Sequence, residues 1–173
     1  MKKNNLILIG YMGCGKTSVG SCLARTGHRS FLDTDKLIEE KSGISINQIF
    51  EKQGEEAFRD METDCLKELL EKKTEATVIS VGGGLPLREK NRGLLSRLGK
   101  VIYLRARPET IYERVKTDTT RPLLKTPDPE KRIREMLKNR EPYYRDAAEV
   151  VIEVDNKSIK ELIEEIEALQ SFE

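Results

Sequence analysis

The chain has 173 residues, with 31 Lys and Arg against 30 Asp and Glu and a single His, so its formal charge is +1. That length suits one domain with a sizeable core, and a charge so near zero excludes a protein built mainly to grip nucleic acid, which carries a basic excess. Its apolar residues fall in short runs inside a chain that is 35% charged; this is the pattern of a folded protein, and no run approaches the ~18–20 residues of a membrane span.

Lys2-Lys3 ahead of the apolar residues 6–9 faintly resembles a secretion signal, but the apolar part stops at Gly10. That is shorter than the ~7–15 residues of a signal core, and no small-x-small cleavage site follows. Residues 6–9 read as a buried strand. Directly after it, Gly10-Tyr11-Met12-Gly13-Cys14-Gly15-Lys16-Thr17 matches GxxxxGK[ST] in full, and residues 18–24 can start a helix. Phosphate binding requires this order, because glycines let main-chain N–H groups converge on phosphate oxygens and the helix N-terminus adds partial positive charge. Gly13, Cys14, Gly15, Lys16, Thr17 and Ser18 are the candidate contacts to a nucleoside triphosphate. Lys16 would reach the β- and γ-phosphates, and the Thr17 hydroxyl would ligate Mg²⁺. A helix N-terminus and Lys16 could make Cys14 reactive, yet phosphoryl transfer needs no thiol, so Cys14 reads as a small residue whose backbone serves the loop.

A short strand at residues 31–32 leads into Asp33-Thr34-Asp35. Alone, such a pair ahead of Leu37-Ile38 is a helix cap. Beside a phosphate loop it reads as chemistry: Asp33 holds Mg²⁺ through water, while Asp35 faces the acceptor hydroxyl, orients it and takes its proton. After Gly54, the residues Met61, Cys65, Leu66, Leu69 and Leu70 repeat at helical spacing. Arg59 lies four residues after Glu55 and three before Glu62, so its default role is a surface ion pair. Residues 78–81 form a third strand that ends in Gly82-Gly83-Gly84, where a ligand can approach main-chain N–H groups at the binding edge of the sheet. Residues 101–104 give a fourth strand. Residues 117–129, with three prolines and no apolar periodicity, form a loop of the length that is usually functional. Its Arg121 could close over a transferring phosphoryl group and exclude water. Arg140 stands near the end of a helical run, where its default role is to complement the helix dipole. A fifth strand at 150–154 precedes a last helix carrying Ile159, Leu162, Ile163, Ile166 and Leu169.

Unbroken apolar strands alternating with helices predict a layered α/β fold, a parallel sheet with right-handed crossovers, and ligands beyond the carboxyl ends of the strands. Cys14, Cys22 and Cys65 cannot all pair within one chain and form no CxxC, so they read as reduced thiols of a cytoplasmic protein. A monomer is expected. A phosphate loop alone does not choose between a GTPase switch, a motor ATPase and a small-molecule kinase. Residues 156–159 lack the Asp of NKxD, no DxxG occurs, and the third strand ends in glycines rather than in an acidic pair. A compact kinase remains.

The chain resembles the shikimate kinases over nearly its whole length. The phosphate loop is shared with many kinases. More specific are Phe31-Leu32-Asp33-Thr34-Asp35, Gly43-x-Ser45-Ile46-x-x-Ile49-Phe50, Gly54-Glu55-x-x-Phe58-Arg59-x-x-Glu62, Gly82-Gly83-Gly84, Arg121-Pro122-Leu123-Leu124 and Arg140-x-Pro142-x-Tyr144, in that order. The resemblance implies a P-loop NTPase fold of three α/β/α layers, with a five-stranded parallel sheet of order 2-3-1-4-5. It also implies a substrate-binding subdomain at about 33–62 and a lid at about 117–129. The implied reaction is transfer of the γ-phosphoryl of ATP, with Mg²⁺, to the 3-hydroxyl of shikimate, giving shikimate 3-phosphate and ADP on the chorismate route to aromatic amino acids. By residue match, Asp35 holds ring hydroxyls and activates the nucleophile. Arg59 and Arg140 clamp the shikimate carboxylate with the backbone of Gly82 and Gly83. Arg121 descends with the lid, Arg114 lies beside the adenine, and Lys157 falls in a variable stretch of the adenine loop. A small anionic polyol explains arginines, carboxylate and glycines together, where a neutral sugar would leave the arginines nothing to pair with. The rivals are a kinase of another small hydroxy acid such as gluconate, a nucleoside monophosphate kinase, and a nucleotide-binding regulator without catalysis.

Overall fold

A computed structural model describes residues 5–118 and 125–170. Arg121 and the other residues of 119–124 lie outside the described residues, so the expected lid is described only at its two ends. The strands form where apolar side chains are covered on both faces: Ile7, Leu8, Ile9, Val78, Ile79, Val101, Tyr103 and Leu104 are all at most 1% exposed. β1 (Asn5–Ile9), β2 (Ser30–Asp33), β3 (Thr77–Ser80), β4 (Gly99–Arg105) and β5 (Val150–Glu153) make one sheet of order β2-β3-β1-β4-β5. Every pairing is parallel, as the resemblance implies.

Helices cover both faces. α1 (Lys16–Thr26) packs against β1, β2 and β3 and against α8 (Ile159–Gln170). α5 (Glu89–Leu98) lies on β1 and β4, flanked by α4 (Glu55–Glu71) and α7 (Pro129–Ala147). α2 (Thr34–Ser42) and α3 (Ile46–Gln53) extend from the end of β2 and pack on α4, and α6 (Pro108–Val115) follows β4 and packs on α7. α3 starts with a capping box, in which Ser45 and Gln48 satisfy each other's main-chain N–H groups. The register puts Asp33 beside Ser80 and Ser80 beside Leu8. The ends of β1, β2 and β3 therefore open on one edge, where residues 10–17, 33–35 and 82–84 meet.

One expectation is corrected here. Arg140 is not at a helix end, because α7 continues through Pro142 to Ala147, too far on for a charge at 140 to serve the last turn.

At the opposite edge a single buried amide ties the sheet together. Asn5, 4% exposed, donates through Nδ2 to the carbonyls of Thr74 and Leu98 (2.6 and 2.9 Å) and accepts from the Thr77 N–H through Oδ1 (3.1 Å). Removing it strands two buried main-chain groups and a partly buried one, each buried one worth about 1–3 kcal/mol. Asn5→Ala should therefore lower the free energy of urea unfolding by at least about 2 kcal/mol while leaving substrate KM values unchanged.

Candidate active site

The loop from Gly10 to Gly15 turns between β1 and α1 on residues with positive φ, +75° at Gly13 and +99° at Gly15. A Cβ at Gly13 would stand 2.7 Å from Val115 Cγ1. α1 begins with no side-chain cap and no acidic residue in its first turn, which leaves its positive end for an anion. Lys16 reaches back across the loop and donates to the carbonyls of Gly10 and Tyr11 (2.7 and 3.1 Å). Cys14 is buried, with its Sγ 3.8 Å from Lys16 Nζ.

Asp33 is the helix cap that its position before Leu37-Ile38 suggests. Its Oδ1 caps α2 by accepting from the N–H groups of Asp35 and Lys36 (3.0 and 3.4 Å). Its Oδ2 accepts from the Thr17 hydroxyl at 3.3 Å, which brings two hard oxygen donors together at the rim of the phosphate loop. Asp35, the second residue of α2, points instead toward Gly82, and its buried Oδ1 has no hydrogen-bond partner among the described residues. Burial and the nearby charge of Asp33 push its carboxyl up to about 6, against the pull of Lys16.

The glycine turn after β3 is where the charges gather. Thr34, fully buried, accepts the Gly82 N–H at 3.3 Å. Asp35 Oδ1 and Glu62 Oε1 both lie within 2.8 Å of the point where a Cβ on Gly82 would stand. Arg140 Nη1 is 3.7 Å from the corresponding point on Gly83, and the Arg59 guanidinium lies 2.4–2.5 Å from that on Gly84. Any side chain at 84 would displace Arg59. The Arg59 pair is not the surface pair that its spacing suggests. Its side chain is only 13% exposed, Nη1 donates to the fully buried Glu62 (2.8 Å) and Nη2 to Glu55 (3.1 Å), and the guanidinium sits over the Phe58 ring. Arg140 lies over the Tyr11 ring and has no carboxylate partner among the described residues.

Gly13, Gly15, Lys16, Thr17, Ser18, Asp33, Asp35, Gly82 and Gly83 line one cavity of about 300 Å³, completed by Met12, Ser80 and Val81. Arg59 and Arg140 stand over the next glycines rather than in its wall. Gly13, Gly15 and Ser18 also line a second cavity of about 290 Å³ with Cys14, Arg114 and Lys157. Arg114 is held there by donating to the Gly13 carbonyl (3.1 Å), and Lys157 pairs with Glu165. The phosphate loop thus has a cavity on each flank. Sequence reasoning passed over Glu62, Thr34 and Tyr144. Glu62 left a signal, being a charged residue in the same helical stripe as Phe58, Cys65, Leu66 and Leu69.

The oxygen donors Thr17 and Asp33 suit Mg²⁺, which takes few protein ligands and keeps water and phosphate oxygens for the rest. A phosphate loop at the edge of a parallel sheet, facing a carboxylate and two arginines, defines a P-loop phosphotransferase acting on a small molecule. Residues 12–170 match the shikimate kinase family model. The chain belongs to the shikimate kinase family, whose members use ATP and Mg²⁺ to phosphorylate an alcohol group. It is 46% identical over 162 residues to a shikimate kinase of Caldanaerobacter subterraneus subsp. tengcongensis, covering 94% of this chain and 93% of the relative. A solved shikimate kinase of Acinetobacter baumannii in complex with shikimate superposes with a TM-score of 0.89 at 41% identity, over 96% of this chain and 92% of that one. A gluconokinase of Sinorhizobium meliloti, at 17% identity and a TM-score of 0.54 over 94% of this chain and 88% of that one, shares the fold alone. Among the described residues no helix is long and apolar enough to cross a membrane.

Burial also pushes the Glu62 carboxyl up, to about 7, although Arg59 beside it favours the charged form. A carboxyl that keeps its proton more tightly folded than unfolded adds stability in full below its unfolded value, here 4.5, and that contribution is lost as pH rises through about 7. Glu62→Gln cannot ionise, so its stability relative to the parent should improve between pH 5 and pH 8, even though Arg59 loses its partner. Urea unfolding of both proteins at the two pH values measures this; a difference independent of pH would show that Glu62 titrates normally.

Proposed function

We propose that this chain carries the γ-phosphoryl of ATP to the 3-hydroxyl of shikimate in the cavity between the phosphate loop and the glycine turn, with the residues around it in the following roles. The observation that carries this reading is the buried, unpartnered Oδ1 of Asp35 in the same cavity wall as Lys16 and Thr17. A buried carboxylate oxygen left without a donor is costly, and an acceptor hydroxyl supplies the missing one. Asp35 orients that hydroxyl and takes its proton as the new O–P bond forms. Lys16 leaves the loop carbonyls for the β- and γ-phosphates, and main-chain N–H groups of residues 13–18 hold the phosphate oxygens. Thr17, and Asp33 through water, would hold Mg²⁺, which would supply positive charge against the phosphates. Arg59 and Arg140 grip the acceptor carboxylate, so that the ring presents its 3-hydroxyl to Asp35.

Residues 33–62 serve in this reading as the acceptor-holding part, since they contribute both Asp35 and Arg59. Residues 117–129 serve as the lid, which brings Arg121 to the phosphates. Arg114 and Lys157 flank the base of the nucleotide in the second cavity. Every group named comes from one chain, which supports a monomeric enzyme, and three free thiols are in keeping with the cytoplasm.

ADP release measured side by side with shikimate, gluconate and nucleoside monophosphates tests the substrate; turnover confined to the last two would overturn it. Asp35→Asn should bind nucleotide normally and lose about 10²–10⁴-fold in kcat, seen by pairing nucleotide titration with steady-state rates. Arg59→Lys loses a paired charged contact of about 1.5–3 kcal/mol, so the shikimate KM should rise about 10–100-fold. An unchanged KM would place the carboxylate clamp elsewhere.

A further inference from the structure

Arg59 and Arg140 come from different helices, α4 and α7, and the main chain between them is three glycines. Glycine main chain is the least able to hold a fixed geometry by itself, yet two guanidinium groups must keep their spacing to grip one carboxylate. One side chain touches both halves of this arrangement. Tyr144 lies one turn beyond Arg140 on α7 and is fully buried. Its hydroxyl donates to the Gly83 carbonyl at 2.7 Å, and Arg140 Nη1 stands 3.7 Å from the point where a Cβ on that same glycine would lie. A phenol has one proton to give. That proton is committed to the Gly83 carbonyl.

The Gly83 carbonyl belongs to the peptide unit that joins Gly83 to Gly84. Fixing it fixes the surface on which the Arg59 guanidinium rests. The Tyr144 hydroxyl therefore fixes the glycine beside Arg140 and, through one peptide plane, the glycine under Arg59. The ring cannot drift, because it is tilted against Tyr103 with centroids 5.0 Å apart. Tyr103 is itself held by donating to Glu141 (2.6 Å), which also accepts from Arg105 (2.8 Å).

We propose that Tyr144 is a positioning residue that sets the spacing of Arg59 and Arg140, and with it the enzyme's preference for an acceptor bearing a carboxylate. This rests on the assignment of the two arginines to the acceptor. Tyr144→Phe removes one oxygen and keeps the buried ring. The shikimate KM should rise at least about tenfold, with kcat within about threefold and the ATP KM within about twofold of the parent. In an Arg140→Lys background, kcat/KM for shikimate should fall less than about threefold further on adding Tyr144→Phe, because the two act on one clamp. Thermal unfolding of each variant is recorded alongside. An unchanged shikimate KM, with or without a lower Tm, overturns the proposal. So does an equal rise in both KM values, or a full tenfold loss repeated in the Arg140→Lys background. Failure of the parent protein to turn over shikimate would instead overturn the assignment of the acceptor.

Discussion

Charged side chains reach main chain at closest range only where no Cβ stands between them, and the turn after β3 meets that condition three times in succession. Gly82 receives Asp35 and Glu62, Gly83 receives Arg140, and Gly84 carries Arg59. The charges come from α2, α4 and α7, which share no sequence neighbourhood. Much of the rest of the fold sets that meeting point. The β2–β3 register brings Asp33 level with Ser80, and the Gly82 N–H bonds to Thr34, so α2 starts beside the glycines and aims Asp35 at them.

The electrostatics of this arrangement are unfavourable until a substrate arrives. Asp35 and Glu62 each keep a buried oxygen without a donor among the described residues, and each is raised toward neutrality by loss of water. Arg59 offsets part of this through Glu62. A buried pair of this kind is poor evidence for stability, since desolvation consumes most of its attraction. In the proposed carboxylate clamp its value lies in geometry: the guanidinium is held in one place by two carboxylates and an aromatic face, so little ordering would remain to be done on binding.

The three central strands of the sheet were legible in the sequence because they are buried on both faces, and the phosphate loop because its spacing has one chemical meaning. α2 and α3 were less so: residues 34–53 are dense in charge and carry few buried side chains, so their periodicity is faint. The surface reading of Arg59 failed for a physical reason. Spacing at i+3 and i−4 shows that charges can meet, but not whether the helix turns that side to water, and Glu62 lies on the core side. For Arg140 the reading of a helix end failed because α7 runs on through Pro142. Arg121 lies outside the described residues, and its role stays with the resemblance.

The ammonium of Lys16 rests on the carbonyls of Gly10 and Tyr11. In the function proposed above, nucleotide arrival is consequently an exchange: the cation gives up two neutral oxygens for anionic ones, and only the difference strengthens binding. On departure of the spent nucleotide the same two oxygens are waiting, so the lysine never faces a bare, half-dry pocket.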